Sequence, residues 1–322
     1  MKAIVSENPG PGFRLRLGEI PMPVPGPDQV LIKVAAAGVN RADLHQARGT
    51  YPPPPGAPET LGMEVAGHVV EDSGLYKKGD PVCALIGGGG YGEYAVADKA
   101  SVLRLPPSLD VTDAASLPEG LFTAWTNVMD TGRLKSGETL LIHGGTSGVG
   151  VMAIQMFAAL GHAVFATAGS PEKCALCENL GARRAINYRE EDFVAAVKAS
   201  TGGKGADVIL DMVGGGYVQR NMSAASVWGR IVNIAYQDGA KVSLDLGPML
   251  MKRLTLAATI LRARSVAEKG AIRDALLETI WPMVADGRIR PVVDRRFSLA
   301  DAQKALEYME KPGATGKILL LP

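Results

Sequence analysis

In the middle of the chain, short apolar runs alternate with segments in which apolar residues recur at helical spacing. Leu140-Leu141-Ile142 is such a run, and it breaks at His143 into the glycine-rich turn Gly144-Gly145-Thr146-Ser147-Gly148-Val149-Gly150. The turn feeds Val151–Ala158, an apolar helical segment. Further strands are expected at 163–167, 185–187, 207–210, 230–234 and 255–259. Helices between them are expected at 171–180, where Ser170 caps, Pro171 takes the first position and Gly181 stops, at 190–200 before Gly202-Gly203, and at 217–225. Short apolar strands alternating with helices predict an α/β fold with a doubly wound parallel sheet.

The flanks read differently. Residues 1–121 hold most of the prolines and strand-like runs such as Met1–Val5 and Val30–Val34, and predict a mostly β domain. In the tail, Val292-Val293 and Lys317–Leu321 read as strands, and Ser298–Asp301 fits a capping box before an amphipathic helix. Two domains are expected: 122–288 as the nucleotide-binding domain, and 1–121 with 289–322 as the other.

A strand, a tight turn and a helix N-terminus are the parts of a dinucleotide phosphate site. Glycines let backbone N–H groups approach a pyrophosphate, and the helix dipole favours its charge. The spacing here, Gly145-x-x-Gly148-x-Gly150, departs from the common G-x-G-x-x-G. Thr146, Ser147 and Val149 complete the candidate turn. Sites that prefer NADH carry an acid about twenty residues on, at the end of the second strand. This chain has Ala168-Gly169-Ser170-Pro171-Glu172-Lys173 there. A small residue at Gly169, a hydroxyl at Ser170 and a charge at Lys173 suit the 2′-phosphate of NADPH, with Glu172 expected to point away.

Composition narrows the classes. The net charge of +1 gives no electrostatic footprint for nucleic acid or an anionic membrane, and no apolar run reaches the length of a membrane span. Cys83, Cys174 and Cys177 form no disulfide framework, and a cytoplasmic protein with reduced thiols is expected.

The run His143–Gly150 followed by Gln155 resembles the signature of the zinc-independent quinone oxidoreductases, the zeta-crystallin-like branch of the medium-chain dehydrogenase/reductase superfamily. Gly38–Asp43, Tyr51–Pro54, Leu61–Val69, Lys78–Val82 and Gly90–Tyr94 resemble that family in the same order, so the resemblance spans essentially the whole chain. It implies a GroES-like catalytic domain beside a Rossmann NADPH domain. It also implies hydride transfer to a quinone or enone, with Asn40 and Tyr51 lining the substrate cleft as catalytic residues. Cofactor contacts implied in the same way are Thr123, Tyr188, Ile234, Ala235 and Lys317. Alcohol dehydrogenases of the superfamily place a zinc-binding Cys at Asn40 and a His at Met63, so no metal is expected here. Relatives pair edge strands of their nucleotide domains, which makes a homodimer through Thr255–Ile260 the expected assembly. Enone or enoyl-thioester reduction is the alternative activity, and a non-catalytic nucleotide- or RNA-binding role is a third.

Overall fold

The computed structural model describes residues 1–311 and 313–322. The chain divides into two compact units, one formed by Met1–Phe122 with Arg262–Pro322 and the other by Thr123–Leu261.

The first unit opens with β1 (Lys2–Glu7), β2 (Arg14–Glu19), β3 (Gln29–Val39), α1 (Arg41–Ala47), β4 (Glu64–Val69), β5 (Pro81–Leu85), β6 (Tyr94–Asp98) and β7 (Val102–Arg104). Helix α2 (Pro118–Trp125) crosses the boundary. The second unit holds β8 (Thr139–Ile142), α3 (Gly148–Ala159), β9 (Ala163–Ala168), α4 (Pro171–Asn179), β10 (Arg184–Asn187), α5 (Phe193–Ser200), β11 (Ala206–Asp211), α6 (Tyr217–Ala224), β12 (Ala225–Asn233), α7 (Gly247–Lys252) and β13 (Thr255–Ala258). The chain returns to the first unit through α8 (Val266–Thr279), α9 (Trp281–Ala285), β14 (Val293–Ser298), α10 (Ala302–Glu310) and β15 (Lys317–Leu321).

In the second unit the six strands lie in the order β10-β9-β8-β11-β12-β13, all parallel. This is the doubly wound order, with its switch point between β8 and β11. Phe165, Leu141, Ile209 and Ile231 stand side by side in register across four strands, each at most 1% exposed. Each such side chain stabilises the fold by roughly 1.5–3 kcal/mol. Apart from Gln155, whose amide donates to Val151 O at 3.1 Å, helix α3 is apolar, and it is buried from Gly150 to Phe157, which anchors the turn that precedes it.

In the first unit a seven-stranded sheet runs β14-β15-β3-β4-β5-β7, with β6 also on β3. The β15–β3 pairing is antiparallel with Ile318 opposite Val39, which brings Lys317 to Asn40.

Three expectations are corrected. Residues 262–288, assigned from the sequence to the nucleotide-binding domain, belong to the first unit. Trp281 donates its indole N–H to Arg104 O at 2.8 Å, and Arg273 donates to Lys99 O at 3.0 Å. A helix after a sixth strand fits the alternating pattern, and only its packing partners reveal its allegiance. The helix expected from Glu190 begins at Phe193. Asp192 caps it by accepting from Val194 N at 3.2 Å, while Glu190 N and Glu191 N close turns onto Asn187 O. The capping box expected at Ser298 is not made either. Ser298 donates its hydroxyl to Asp301 Oδ2 at 2.8 Å, and a short 3-10 turn precedes α10. Among the described residues no helix is long and apolar enough to cross a membrane.

Asp43 ties α1 to the first unit. Its carboxylate accepts from Asn40 N (2.8 Å), Gly62 N (3.0 Å) and the Tyr91 hydroxyl (2.9 Å), and it is 1% exposed. Burial pushes its acid up from 3.8 to about 6. Between those values the folded chain binds the proton more tightly than the unfolded chain, so stability falls as pH rises from about 4 to 6. This group alone is expected to lower stability by roughly 2 kcal/mol between pH 4 and pH 7. Urea denaturation of wild type and Asp43→Asn across that range checks it: the variant should lack this component of the slope.

Candidate active site

The turn after β8 is built so that backbone can approach a ligand. Gly144 has φ +68°, and a Cβ there would lie 2.9 Å from Met212 Sδ. A Cβ at Gly145 would meet Cys177 Sγ at 2.7 Å, and one at Gly150 would meet Gly144 O at 2.3 Å. Ser147 caps α3 by accepting from Gly150 N at 3.0 Å. Helix geometry leaves the N–H groups of Gly148 and Val149 without intrahelical acceptors, at the positive end of a twelve-residue helix. Thr146, buried at 7% exposure, completes the turn. The backbone N–H groups, the glycines and the dipole fit a pyrophosphate.

His143, fully buried, braces this turn from below. One ring nitrogen lies 3.1 Å from Thr167 Oγ1, the other 2.7 Å from Asn221 Oδ1, and Asn221 Nδ2 donates to Asp211 at 3.0 Å. Burial holds its pKa below the usual histidine value. Its role is to join the ends of β8, β9 and β11.

Past β9, the Tyr188 phenol lies over Gly169, where a Cβ would stand 2.7 Å from its oxygen. Ser170 accepts from Lys173 N at 3.3 Å. Glu172 does not point away as expected. The Ser170 hydroxyl donates to its carboxylate and holds that carboxyl below its ordinary pKa, so an acid stands beside the hydroxyl. Ile234 and Ala235 follow the carboxyl end of β12, with Ile234 N bonded to Asp211 O at 2.8 Å. Thr123 is 6% exposed in α2, and its carbonyl accepts from Asn127 at 2.8 Å.

In the first unit, Asn40 and Lys317 form a single cluster with Glu64. Asn40 Nδ2 donates to Glu64 Oε1 at 2.9 Å, and Asn40 Oδ1 accepts from Lys317 Nζ at 2.6 Å. Lys317 Nζ also contacts Glu64 Oε1, whose partner oxygen accepts from Glu119 N at 2.9 Å. Lys317 is 2% exposed and Glu64 is fully buried. Lys317 was expected to face the cofactor. Instead its ammonium is committed inside the sheet, because the strand register sets it against Asn40. Both ends of the Asn40 amide are engaged, so Asn40 holds this cluster rather than presenting a ready donor. Tyr51 is half-buried, with the Arg262 guanidinium 5.5 Å from its ring centroid, and burial pushes its phenol above the usual value.

Comparisons with known proteins bear on the family. Residues 26–107 match the alcohol dehydrogenase GroES-like domain, and residues 148–276 match the zinc-binding dehydrogenase family. Human quinone oxidoreductase is 31% identical over all of this chain and 98% of its own length. The structure of Escherichia coli quinone oxidoreductase complexed with NADPH superimposes with a TM-score of 0.86 at 28% identity, covering both chains in full. CurK enoyl reductase gives 0.82 at 25% identity, over 95% of each chain. The chain belongs to the quinone oxidoreductase family.

The zinc named in one matching family does not fit this quinone oxidoreductase family member. Where the resemblance puts the Cys and His of alcohol dehydrogenases stand Asn40 and Met63, and the carboxylate beside them, Glu64, already holds an ammonium. Among the described residues no group of three His, Cys, Asp or Glu side chains stands close enough to hold a metal ion.

Lys317→Met leaves a buried carboxylate without its cation, which costs about 3–5 kcal/mol. The double variant Glu64→Gln/Lys317→Met should cost clearly less than the sum of the singles in a urea-denaturation cycle. Simple additivity would show that the two charges do not support one another.

Proposed function

We propose that this chain is an NADPH-dependent quinone reductase that works without a metal. The observation that carries the reading is the ammonium of Lys317 lodged against Glu64 and Asn40, in a chain that matches quinone oxidoreductases from end to end. When bound, NADPH supplies a hydride and is released as NADP⁺. The N–H groups of Gly148 and Val149 and the α3 dipole hold its pyrophosphate, while Gly145 and Gly150 keep Cβ atoms out of the way. Gly169, Ser170, Lys173 and Tyr188 take the adenosine end and its 2′-phosphate. Thr123, Ile234 and Ala235 serve the nicotinamide end by resemblance to the family. Tyr51 offers a flat ring face to the substrate.

A quinone or enone needs no help to ionise a hydroxyl. Its conjugated carbon accepts the hydride, and the displaced electron pair settles on oxygen before a proton arrives from solvent. Reduction of a C=C bond next to a thioester is the second reading, favoured by the likeness to an enoyl reductase. A reducing, cytoplasmic setting suits the three unpaired thiols.

A homodimer is part of the same proposal. Strand β13 is a sheet edge with little covering it: Leu256 is 37% exposed and Ile260, just beyond, 58%. Leu250 and Met251 of α7 are 79% and 75% exposed. A second copy paired edge to edge about a two-fold axis would cover such a strand. Sedimentation should give twice the 33.7 kDa chain mass. Leu256→Lys with Ile260→Lys should give the single chain, and an unchanged mass would locate the interface elsewhere.

Activity is tested by following NADPH and NADH oxidation with ortho-quinones, para-quinones, alkenals and enoyl thioesters. Quinone turnover with NADPH preferred is expected, whereas turnover of enoyl thioesters alone would move the assignment to the second reading. Lys173→Glu should raise the KM for NADPH far more than that for NADH. Glu172→Gln, which removes the acid beside Ser170, should lower the NADPH KM by about threefold. Equal effects on both cofactors would remove this segment from phosphate recognition.

A further inference from the structure

Arg262 is the most anomalous charged residue in the first unit. It is 7% exposed, yet among the described residues it has no carboxylate within ion-pair distance. Its Nε and Nη2 donate to Gly87 O at 2.9 and 2.6 Å, and Nη2 also donates to Gln46 Oε1 at 2.8 Å. Gln46 is itself fixed, because its Nε2 donates to Glu59 O at 2.7 Å. Nη1 is buried and has no hydrogen-bond partner. Asp43, Glu119 and the Tyr51 phenol act on the guanidinium only through space.

A buried donor without a partner is unfavourable by about 1–3 kcal/mol, and more when it is charged. A buried cation held only by neutral acceptors keeps its charge available. Three of the five guanidinium N–H bonds clamp the group to backbone and to Gln46, which leaves the Nη1 pair as a rigid fork. The Tyr51 ring lies over this guanidinium, at the head of the run Pro52-Pro53-Pro54-Pro55. The loop ends at Glu59, whose carbonyl holds Gln46. The loop therefore reaches Arg262 directly through Tyr51 at one end and by way of Gln46 at the other.

We propose that Nη1 of Arg262 is the donor that receives the substrate oxygen as negative charge gathers on it, with Tyr51 moving off the guanidinium to stack on the flat substrate. This rests on the reductase reading above. In the step it serves, hydride brings an electron pair that becomes the new C–H bond. The π pair displaced from the substrate shifts to oxygen, and solvent supplies one proton. An enone is then complete as the saturated carbonyl, whereas a quinone becomes the hydroquinone once the ring carbon that took the hydride gives a proton back to solvent and the second oxygen takes one up. A preorganised donor at that oxygen lowers the barrier because it need not reorient. Asn40, with its amide engaged at both ends, leaves this role open.

The test compares Arg262→Ala and Arg262→Lys with wild type on a para-quinone. Arg262→Ala is expected to lose about a hundredfold in kcat/KM with NADPH affinity unchanged. Millimolar guanidinium chloride should restore part of the loss, which a packing defect would not allow. Para-nitrophenolate, an anionic mimic of the charged oxygen, should bind the NADP⁺-saturated wild type and bind Arg262→Ala far more weakly. A folded Arg262→Ala with wild-type kcat/KM and wild-type nitrophenolate affinity overturns the proposal. If the alanine variant does not fold, Arg262→Lys decides: it keeps the charge without the fork and should show reduced turnover and weaker nitrophenolate binding, and wild-type values for both overturn the proposal. Should wild type reduce no quinone, the reductase reading fails, while nitrophenolate binding still judges the donor.

Discussion

The ammonium of Lys317 against the carboxylate of Glu64 is the interaction on which the first unit's chemistry turns. Neither charge reaches water, so each is tolerable only beside the other. The pair fixes what surrounds it. Gly38 can have no side chain, since a Cβ would stand 2.2 Å from Glu64 Oε1. Asn40 is turned so that its oxygen meets the lysine and its nitrogen the glutamate. The second oxygen of Glu64 holds Glu119 N near the start of α2. One ion pair thereby joins β15, β4, the end of β3 and the first turn of α2.

Much of the second unit was legible because its rules are local. Leu140–Ile142, the glycine turn and Val151–Ala158 carry their periods and their breaker within about twenty residues, and the strand order follows from repeating that unit. Ser170, Pro171 and Gly181 mark a helix in the order that capping physics requires. What failed was set by competition or by distance. Glu190 and Glu191 are good helix formers, but Asp192 offers a stronger cap one residue later. Glu172 folds back on Ser170 because a first-turn carboxylate finds both a hydroxyl and a dipole there. Lys317 is a lone basic residue on an apolar strand, and its partner lies 253 positions away, so nothing local distinguishes a cofactor contact from a buried ion pair.

The same contrast explains Arg262. The segment after the sixth strand reads as more of the nucleotide-binding unit. Only packing reveals that Arg262 turns into the first unit, meets Gly87 and Gln46, and leaves one nitrogen unmatched. An unmatched donor is a signal of three-dimensional accounting, and sequence pattern carries no such account.

Fixed side-chain cations restrict the chemistry. A metal with an open position can take an oxygen lone pair directly and can lower the pKa of a bound hydroxyl. Lys317 cannot do this, since its charge is already shared between Glu64 and Asn40. A guanidinium fork only donates hydrogen bonds, and it cannot accept a proton near neutral pH. Donors of this kind stabilise an oxygen that becomes negative as hydride arrives, but they give no leverage for stripping a proton from a neutral alcohol. The side chains therefore favour reduction of conjugated, electron-poor carbonyl compounds over oxidation of alcohols, and they do so through charge placement that the fold has fixed before any substrate enters.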